Sequence, residues 1–595
     1  MITPLPAAFA LLEQPGGAWL FTELTAALSL ADAADLARAE ALVAESAAQG
    51  AWTVVALNYE LAGVLEPASG LAAKGSLGHV WRFARRQWLD TAALDAWLAA
   101  GVAALPAADQ VCGIADLVPG LAEADYLAAV ARIRDYIAAG DCYQVNFTFP
   151  LHFTAFGHPL ALYAGLRRRQ PTSLGGLVLT PLATILSLSP ELFVERQGER
   201  LITRPMKGTA PRGRNGAEDE ALRVALAASE KDRAENVMIV DLLRNDLGRL
   251  APPGAVRVEE LFRIETYPTL FQMTSTVVAD MQANRPGADF AAVLRALFPC
   301  GSITGAPKVR AMQIIRELEV GPRGLYTGSL GWVAPDGDFR LNVAIRTLEL
   351  SADGSGRMGV GSGIVIDSEP AREYRECLLK ARFLTDLDPG FQLIETLLLA
   401  DGLFPDAVLH RQRLAASAQA LGFAHDDGAV LTALAELAAG HPTGRFRVRL
   451  TLDKAGQLRL TAVPLEEGGG PWQVLLSPHR LDSRRYLLRH KTTARALYDA
   501  ELQRVMALPG GFDALFLNER EEVSEGARSN VFARIDGRLY TPPLACGLLP
   551  GILRRRLLES GAATERVLSL ADLQGGEAIY MGNALRGLVP VTLAP

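Results

Sequence analysis

A short polar stretch closed by Pro-Gly, Thr385-Asp-Leu-Asp-Pro-Gly390, limits how this chain can fold more than any other feature. Pro and Gly punctuate the backbone, and the apolar pattern restarts after them with Leu393-Ile-Glu-Thr-Leu. A chain of 595 residues is long enough for about two to four domains. The sequence therefore reads as an α/β opening over 1–120, a body over 121–385, a linker over 386–390 and a further domain over 391–595.

Composition excludes several function classes. A net charge of −7 leaves no basic stripe for nucleic acid and no polybasic patch for a membrane surface. The five cysteines are scattered and form no Cys-x-x-Cys pair, which argues against a disulfide framework or a zinc site and suits a reducing cytoplasm. The N-terminal stretch lacks a basic region and carries Glu13 and Glu23, so it does not read as a secretory signal. The uncharged run from Pro171 to Pro190 is broken by Gly175-Gly176 and Thr180-Pro181, and reads as two buried strands around a turn rather than a membrane span.

Lysine is scarce: only seven of the 59 Lys and Arg residues are lysine. One of them, Lys207, sits in Thr203-Arg-Pro-Met-Lys-Gly-Thr-Ala-Pro211. A lysine amine can become neutral and act as a nucleophile, which an arginine cannot. On chemistry alone, Lys207 is either that or a solvated residue in a polar turn. Glu191, straight after Pro190, is either an exposed strand-edge carboxylate or an acid brought to Lys207 by a strand–turn–strand path.

Downstream, a helix is expected from about Glu218 to Leu247, as is one capped by Ser29 that runs to about Ala48. Asp232 and Glu235 share one helical face, as do Glu373 and Glu376. Two such pairs offer the oxygen ligands that Mg²⁺ prefers, or else form salt-bridged surface faces. The loop Phe298-Pro-Cys-Gly-Ser-Ile-Thr-Gly-Ala-Pro-Lys308 opens onto a helix, an arrangement suited to an anion. Arg346 alternates with Ala344 and Leu348 on an inward strand face, so it needs an anionic partner. Gly359-Val-Gly-Ser-Gly363 offers further backbone donors.

Together, "PMKGT", "KDRAENVMIVDLLRND", "FPCGSITGAPK", "LYTGSLGW", "NVAIRT" and "GSGIVIDSEPAREYREC" resemble the chorismate-utilising family over about residues 10–385. The resemblance implies an α+β fold of the anthranilate-synthase kind, with 1–120 as its N-terminal part and 121–385 as the chorismate-binding catalytic domain. It implies that Lys207 adds to C2 of chorismate while the C4 hydroxyl leaves with Glu191 as acid. Ammonia then attacks C4 and gives 4-amino-4-deoxychorismate. Glu235, Glu373 and Glu376, with Asp232 nearby, would hold Mg²⁺. Tyr326, Arg346, Thr304, Lys308 and the Gly361, Ser362 and Gly363 amides would grip the substrate. Lysine in the "PMKGT" slot resembles the amination branch, since anthranilate synthases carry alanine there. Gln272 stands where those synthases have the histidine tied to pyruvate elimination.

The last third reads as a second α+β unit. An amphipathic helix from His410 ends at Gly422, strands follow, and Lys491 precedes a helical run, whereas Lys454 lies in a turn and reads as surface. Val523-Ser-Glu-Gly-Ala-Arg-Ser-Asn530 and Gly547-Leu-Leu-Pro-Gly-Ile-Leu-Arg554 complete the pattern, the second being a turn onto a helix N-terminus suited to phosphate. These pieces resemble the two-subdomain fold-type IV pyridoxal phosphate enzymes over 391–595. By that resemblance Lys491 carries the cofactor and shuttles the proton, and Glu525 pairs with the pyridinium nitrogen. Arg413, Ser529, Asn530, Ile552 and Leu553 bind the phosphate, with Leu553 where the family often has threonine. Asn583 or Arg586 contacts substrate.

Both halves then fit one sequence of reactions: amination of chorismate, then elimination of pyruvate to leave 4-aminobenzoate. The alternative is an anthranilate-type synthase joined to an aminotransferase. No Gly-x-Cys-x-Gly elbow appears, so ammonia is expected from solution or from a separate glutamine amidotransferase subunit. Pairing of two copies through the cofactor domain is a further expectation.

Overall fold

The computed structural model describes residues 5–72, 75–267, 270–281, 289–466 and 469–594. They form two compact units, one of residues 1–106 and 117–387, the other of 107–116 and 388–595. Residues 107–116 thus group with the second unit and not with the N-terminal part, where the sequence reading put them. Side chains hold them there: Arg485 pairs with Asp109 at 2.8 Å, and the Tyr486 hydroxyl donates to Asp116 at 2.7 Å.

In the first unit, long antiparallel strands build the frame. Gly17–Leu30 pairs with both Phe9–Gln14 and Gly78–Asp90, and Gln144–Phe156 runs in register with Ser355–Ile364. Phe21, Val54, Trp81, Phe83, Ile185 and Leu330, all nearly inaccessible, belong to one core cluster of this unit. Each such large side chain contributes roughly 1.5–3 kcal/mol on burial, so this core rather than local propensity fixes the register. The uncharged run after Pro171 forms the antiparallel strands Gly176–Leu179 and Thr184–Ser187. No helix among the described residues is long and apolar enough to cross a membrane.

Three local expectations are corrected. The helix before Ala48 is capped by Asp32, whose carboxylate accepts from Ala34 and Asp35, while Ser29 lies in the preceding strand. The stretch 218–247 is two helices, Gly216–Ala228 and Glu230–Gly248. Ser229 breaks it because its hydroxyl accepts from the Asp232 amide and restarts the helix as an N-cap. The strand expected through Arg346 stops at Asn342 and resumes at Thr347, with Arg346 itself at φ 49°.

The second unit has two layers of its own. Leu393–Ala400, Arg445–Leu452 and Leu458–Pro464 make a three-stranded antiparallel sheet, against which the helix Ala407–Leu421 packs. Its end is set by Gly422 at φ 66°, and Lys454 is no surface lysine, since its ammonium donates to the Leu421 carbonyl there. Gln473–Leu481 and Gly511–Asn518 then pair in parallel within a larger mixed sheet. The helix Ala496–Met506 lies between them in sequence, as a parallel crossover requires.

Candidate active site

Lys207 stands on a β-bulge. Met206–Pro211 pairs with Leu270–Asp280, but the register slips between Met206 and Thr209, so Lys207 and Gly208 together stand opposite Met273 alone. Bulges re-aim side chains, and this one turns the Lys207 amine toward Gly363. A Cβ placed on Gly363 would lie 3.5 Å from Lys207 Nζ. Gly208 takes φ +86°, and a Cβ there would meet Asp232 at 2.9 Å. The glycine is therefore required twice, for its backbone and for its lack of a side chain.

Glu191 is buried beside this bulge. The Ser302 hydroxyl donates to its Oε1 at 2.6 Å. Burial raises the carboxyl to about 7, against the pull of Ser302 and Lys207. The Lys207 amine moves the other way. Burial lowers it from the usual lysine range, opposed by Glu235 and Glu191. A carboxyl that holds its proton more tightly than usual and an amine that holds its own less tightly are chemically suited to an acid and a nucleophile.

Each acidic helix supplies one carboxylate, Glu235 or Glu376, that acts on Lys207 electrostatically. Three of the four acids have a side-chain neighbour. Glu373 accepts from Ser368 at 2.9 Å, Glu376 pairs with Lys380 at 3.0 Å, and Glu235 lies 3.9 Å from Lys231. Among the described residues no three acidic, His or Cys side chains converge as a metal cluster, so the four carboxylates alone make no closed magnesium cage.

The other expected contacts divide. Tyr326 is buried, its ring against Gly359. Arg346 and Tyr267 line a cavity with Pro190, Met206 and Gln272, and burial lowers the Arg346 guanidinium. Gly361, Ser362 and Gly363 lie in a strand that pairs here with Asn146, Phe147 and Thr148, while the pairing on its other edge, to Thr347–Leu350, reaches only Met358. The Ser362 hydroxyl is taken by Tyr126 at 2.9 Å, so this residue can offer substrate only its backbone. Thr304 and Lys308 already have partners within the loop and its neighbours. The Thr304 hydroxyl donates to the Cys300 carbonyl, and the Lys308 ammonium is held by Asp246 and the Leu297 carbonyl, so both brace the loop. A larger cavity of about 750 Å³, lined by Tyr59, His79, Leu182, Glu349 and Arg357, contains none of these residues.

Two residues of this site were missed from sequence. Ser302 sat inside a quoted motif without a role. Lys380, whose Nζ donates to the Gly361 carbonyl at 2.7 Å, carries the same scarcity signal as Lys207.

This geometry agrees with a family match over residues 83–386, half of the chain, to the chorismate binding enzyme model. The chain belongs to the chorismate binding enzyme family. Its relatives carry more than one name. Aminodeoxychorismate synthase component 1 of Bacillus subtilis is 46% identical over 253 residues, 42% of this chain and 53% of that protein. Anthranilate synthase component 1 of Streptomyces coelicolor is 44% identical over 268 residues, 44% of this chain and 51% of that protein. The chain thus spans about half the length of the curated relatives it matches. The crystal structure of anthranilate synthase component I from Streptococcus pneumoniae aligns at a TM-score of 0.51 and 25% identity, covering 64% of this chain and 90% of that one.

This chorismate binding enzyme carries a second domain, since residues 392–594 match the class IV amino-transferase model. That class implies pyridoxal phosphate, and the residues fit it. Lys491 is lowered to about 8 by burial and by the charges of Arg413 and Arg495. Glu525 is buried, with its carboxyl raised to about 7 by burial, and it accepts from the Tyr498 hydroxyl at 2.7 Å and the Leu549 amide at 3.0 Å. Ile552 and Leu553 open the helix Ile552–Glu559. Gly551 before them allows close approach, since a Cβ there would meet Asn530 Oδ1 at 1.9 Å. Asn530 Nδ2 donates to the Leu549 carbonyl, and Ser529 is buried beside it. Asn583 holds its own turn through the Leu585 and Arg586 amides, and its Nδ2 lies 3.5 Å from Ser529 Oγ.

Sequence reasoning missed what holds Arg413. Its guanidinium bonds both oxygens of the buried Glu395 at 2.8 and 2.6 Å, and His410 Nδ1 lies 2.6 Å from the same carboxylate. The run Leu393-Ile-Glu-Thr-Leu carried the signal: a lone acid in an apolar strand needs a cation.

Proposed function

We propose that this protein converts chorismate and ammonia to 4-amino-4-deoxychorismate in its first unit, and removes pyruvate from that product in its second to leave 4-aminobenzoate. The observation that carries the first step is the opposed shift of Glu191 and Lys207 at one bulge. The neutral Lys207 amine attacks C2 of the ring, both ring double bonds shift by one position toward C4, and the C4–O bond breaks. Glu191 gives its proton to the departing hydroxyl, which leaves as water. Ammonia then attacks C4 and the Lys207 nitrogen departs from C2, so the lysine is regenerated. Arg346, in a cavity with Tyr267, supports the reading by offering a cation to a carboxylate.

Magnesium belongs to this reading as the cation between the acidic helices. Glu235 and Glu376 would hold it, completed by substrate oxygens and water, since Mg²⁺ takes few carboxylates and keeps its waters. Asp232 and Glu373 stand three residues along the same helices.

In the second unit the cofactor, when bound, supplies an electron sink next to the substrate's amino-bearing carbon. Lys491 would carry the cofactor and move the proton, and its lowered amine suits both. Glu525 would face the ring nitrogen. Arg413, Ser529, Asn530 and the first amides of the Ile552–Glu559 helix would bind the phosphate, as helix N-termini do. Ammonia is assigned to a separate glutamine amidotransferase, the protein to the cytoplasm, and pairing of copies to the second unit.

The lysine step has a direct test. With chorismate and without ammonia, the peptide that holds Lys207 should gain the mass of chorismate less one water. If that peptide stays unmodified while product still forms on adding ammonium, the covalent route is wrong.

A further inference from the structure

Residues 107–116 fall within the stretch that matches the chorismate binding enzyme model, yet they belong to the second unit. Their carboxylates meet one short element there. Asp109 accepts from Arg485 at 2.8 Å, and Asp116 accepts from the Tyr486 hydroxyl at 2.7 Å. These two neighbours head the single turn Tyr486–Arg489, which leads straight into His490 and Lys491. Asp116 lies 370 residues before its partner. It makes this contact from a left-handed backbone, φ 51°, a conformation that persists in residues with a Cβ only where the surroundings hold it.

From Tyr486 the contacts run on toward Lys491. The Tyr486 ring stacks on that of His490, with centroids 5.0 Å apart and planes 28° from parallel. His490 Nδ1 and Ser417 Oγ share a hydrogen bond of 3.0 Å. Ser417 stands four residues past Arg413 on the helix Ala407–Leu421, so both lie on one helical face. Burial pushes the His490 ring down to about 4, so at neutral pH it is held by stacking and this hydrogen bond rather than by its own charge. Beyond His490 the backbone is fixed by a strand: the Lys491 carbonyl accepts from the Ile394 amide, and the Thr493 amide donates to the Gln392 carbonyl. The Lys491 backbone is therefore pinned on one side by a strand and on the other by two stacked rings.

We infer that Asp116 and Tyr486 are positioning residues for Lys491: Asp116 fixes the Tyr486 hydroxyl, Tyr486 fixes the His490 ring, and His490 sets the backbone from which the lysine amine reaches the cofactor. This rests on the pyridoxal phosphate reading above. Both residues act through His490 rather than on the cofactor, and a small misplacement of a reacting group is enough to slow a reaction. Residues 391–595 alone would lack this part of the scaffold of their own site.

The test uses the full chain loaded with pyridoxal phosphate and supplied with aminodeoxychorismate. Tyr486→Phe keeps the ring stack and removes the hydroxyl. Asp116→Gly removes the carboxylate and suits the left-handed backbone, whereas Asp116→Asn keeps an acceptor. Tyr486→Phe and Asp116→Gly should each lower kcat about threefold to tenfold with KM changed less than about twofold. Each should also weaken the visible circular dichroism of the bound cofactor. The double variant should lose no more than either single one, because both break the same bond. Asp116→Asn should recover most of the loss, and all variants should melt with the parent when free of cofactor. Parental kcat and dichroism in both single variants overturn the inference alone. So do additive losses, or losses that come with a lower melting temperature, which would mark a general stabilising role. If the parent chain takes up no pyridoxal phosphate, the cofactor reading fails and this inference with it.

Discussion

Gln272 holds the Lys207 bulge from across the strand pair: its Nε2 donates to the Gly208 carbonyl at 2.8 Å, and its Oε1 accepts from Thr209 at 2.9 Å. A residue at the position of the anthranilate-type histidine here serves the backbone of the nucleophile's turn. The side chain is nearly buried, and both ends of its amide are satisfied. Replacing it with leucine leaves the Gly208 carbonyl without that donor. A buried group left unpaired costs about 1–3 kcal/mol, so Gln272→Leu should lower the first-unit rate about tenfold to a hundredfold. Conversion of supplied aminodeoxychorismate by the second unit should not change. Parallel assays of the two half-reactions check this.

Gly208→Ala tests the same turn by geometry. The left-handed backbone costs a Cβ-bearing residue about 1–2 kcal/mol, and the new methyl would press on Asp232. The expected result is a lower melting temperature and near-complete loss of amination. Unchanged amination would mean that the bulge does not need its glycine.

Glu191 sets a pH limb. Its carboxyl titrates near 7, so below that pH the acid form predominates and above it the proton donor is lost. The first-unit rate should fall as pH rises past 7, and Glu191→Gln should reduce the rate about 10²–10⁴-fold while abolishing that limb. Stability follows the same sign. The folded state holds this proton more tightly than the unfolded chain, so the contribution of Glu191 is lost as pH rises from 4.5 through 7. A pH–rate profile with its Gln variant decides the first point.

Glu395 predicts the opposite dependence in the second unit. Burial alone would raise its carboxyl, but Arg413 and His410 outweigh burial and hold it at about 2. Its stabilisation is present above pH 4.5 and lost as pH falls through 2, on the order of 3 kcal/mol. Glu395→Gln should cost about 3–5 kcal/mol by leaving buried cations unpaired, and should weaken cofactor binding by releasing Arg413. Absorbance titration with pyridoxal phosphate and an acid melt measure the two effects.

Residues whose type suits chemistry were the ones legible in the sequence. Lys207 and Lys491 stood out because lysine is scarce, and the Asp232/Glu235 and Glu373/Glu376 pairs because helical spacing is regular. The break at Ser229 was not legible, since the residues on both sides favour helix and only a cap geometry separates them. The partner of Lys308 was not legible either, because Asp246, which captures its ammonium, is far away in sequence. Ser302 and the Glu395–His410–Arg413 cluster needed tertiary contacts, because a single polar residue does not reveal its partner.

The central claim is a chain of two reactions that ends in an aromatic amine. Purified protein would be incubated with chorismate, an ammonium salt, Mg²⁺ and pyridoxal phosphate, and the products separated by chromatography. The account predicts 4-aminobenzoate and pyruvate from the parent chain. It predicts accumulated aminodeoxychorismate from Lys491→Ala, and unreacted chorismate from Lys207→Ala. Formation of 2-aminobenzoate, or of 4-aminobenzoate by the Lys207→Ala chain, would contradict it.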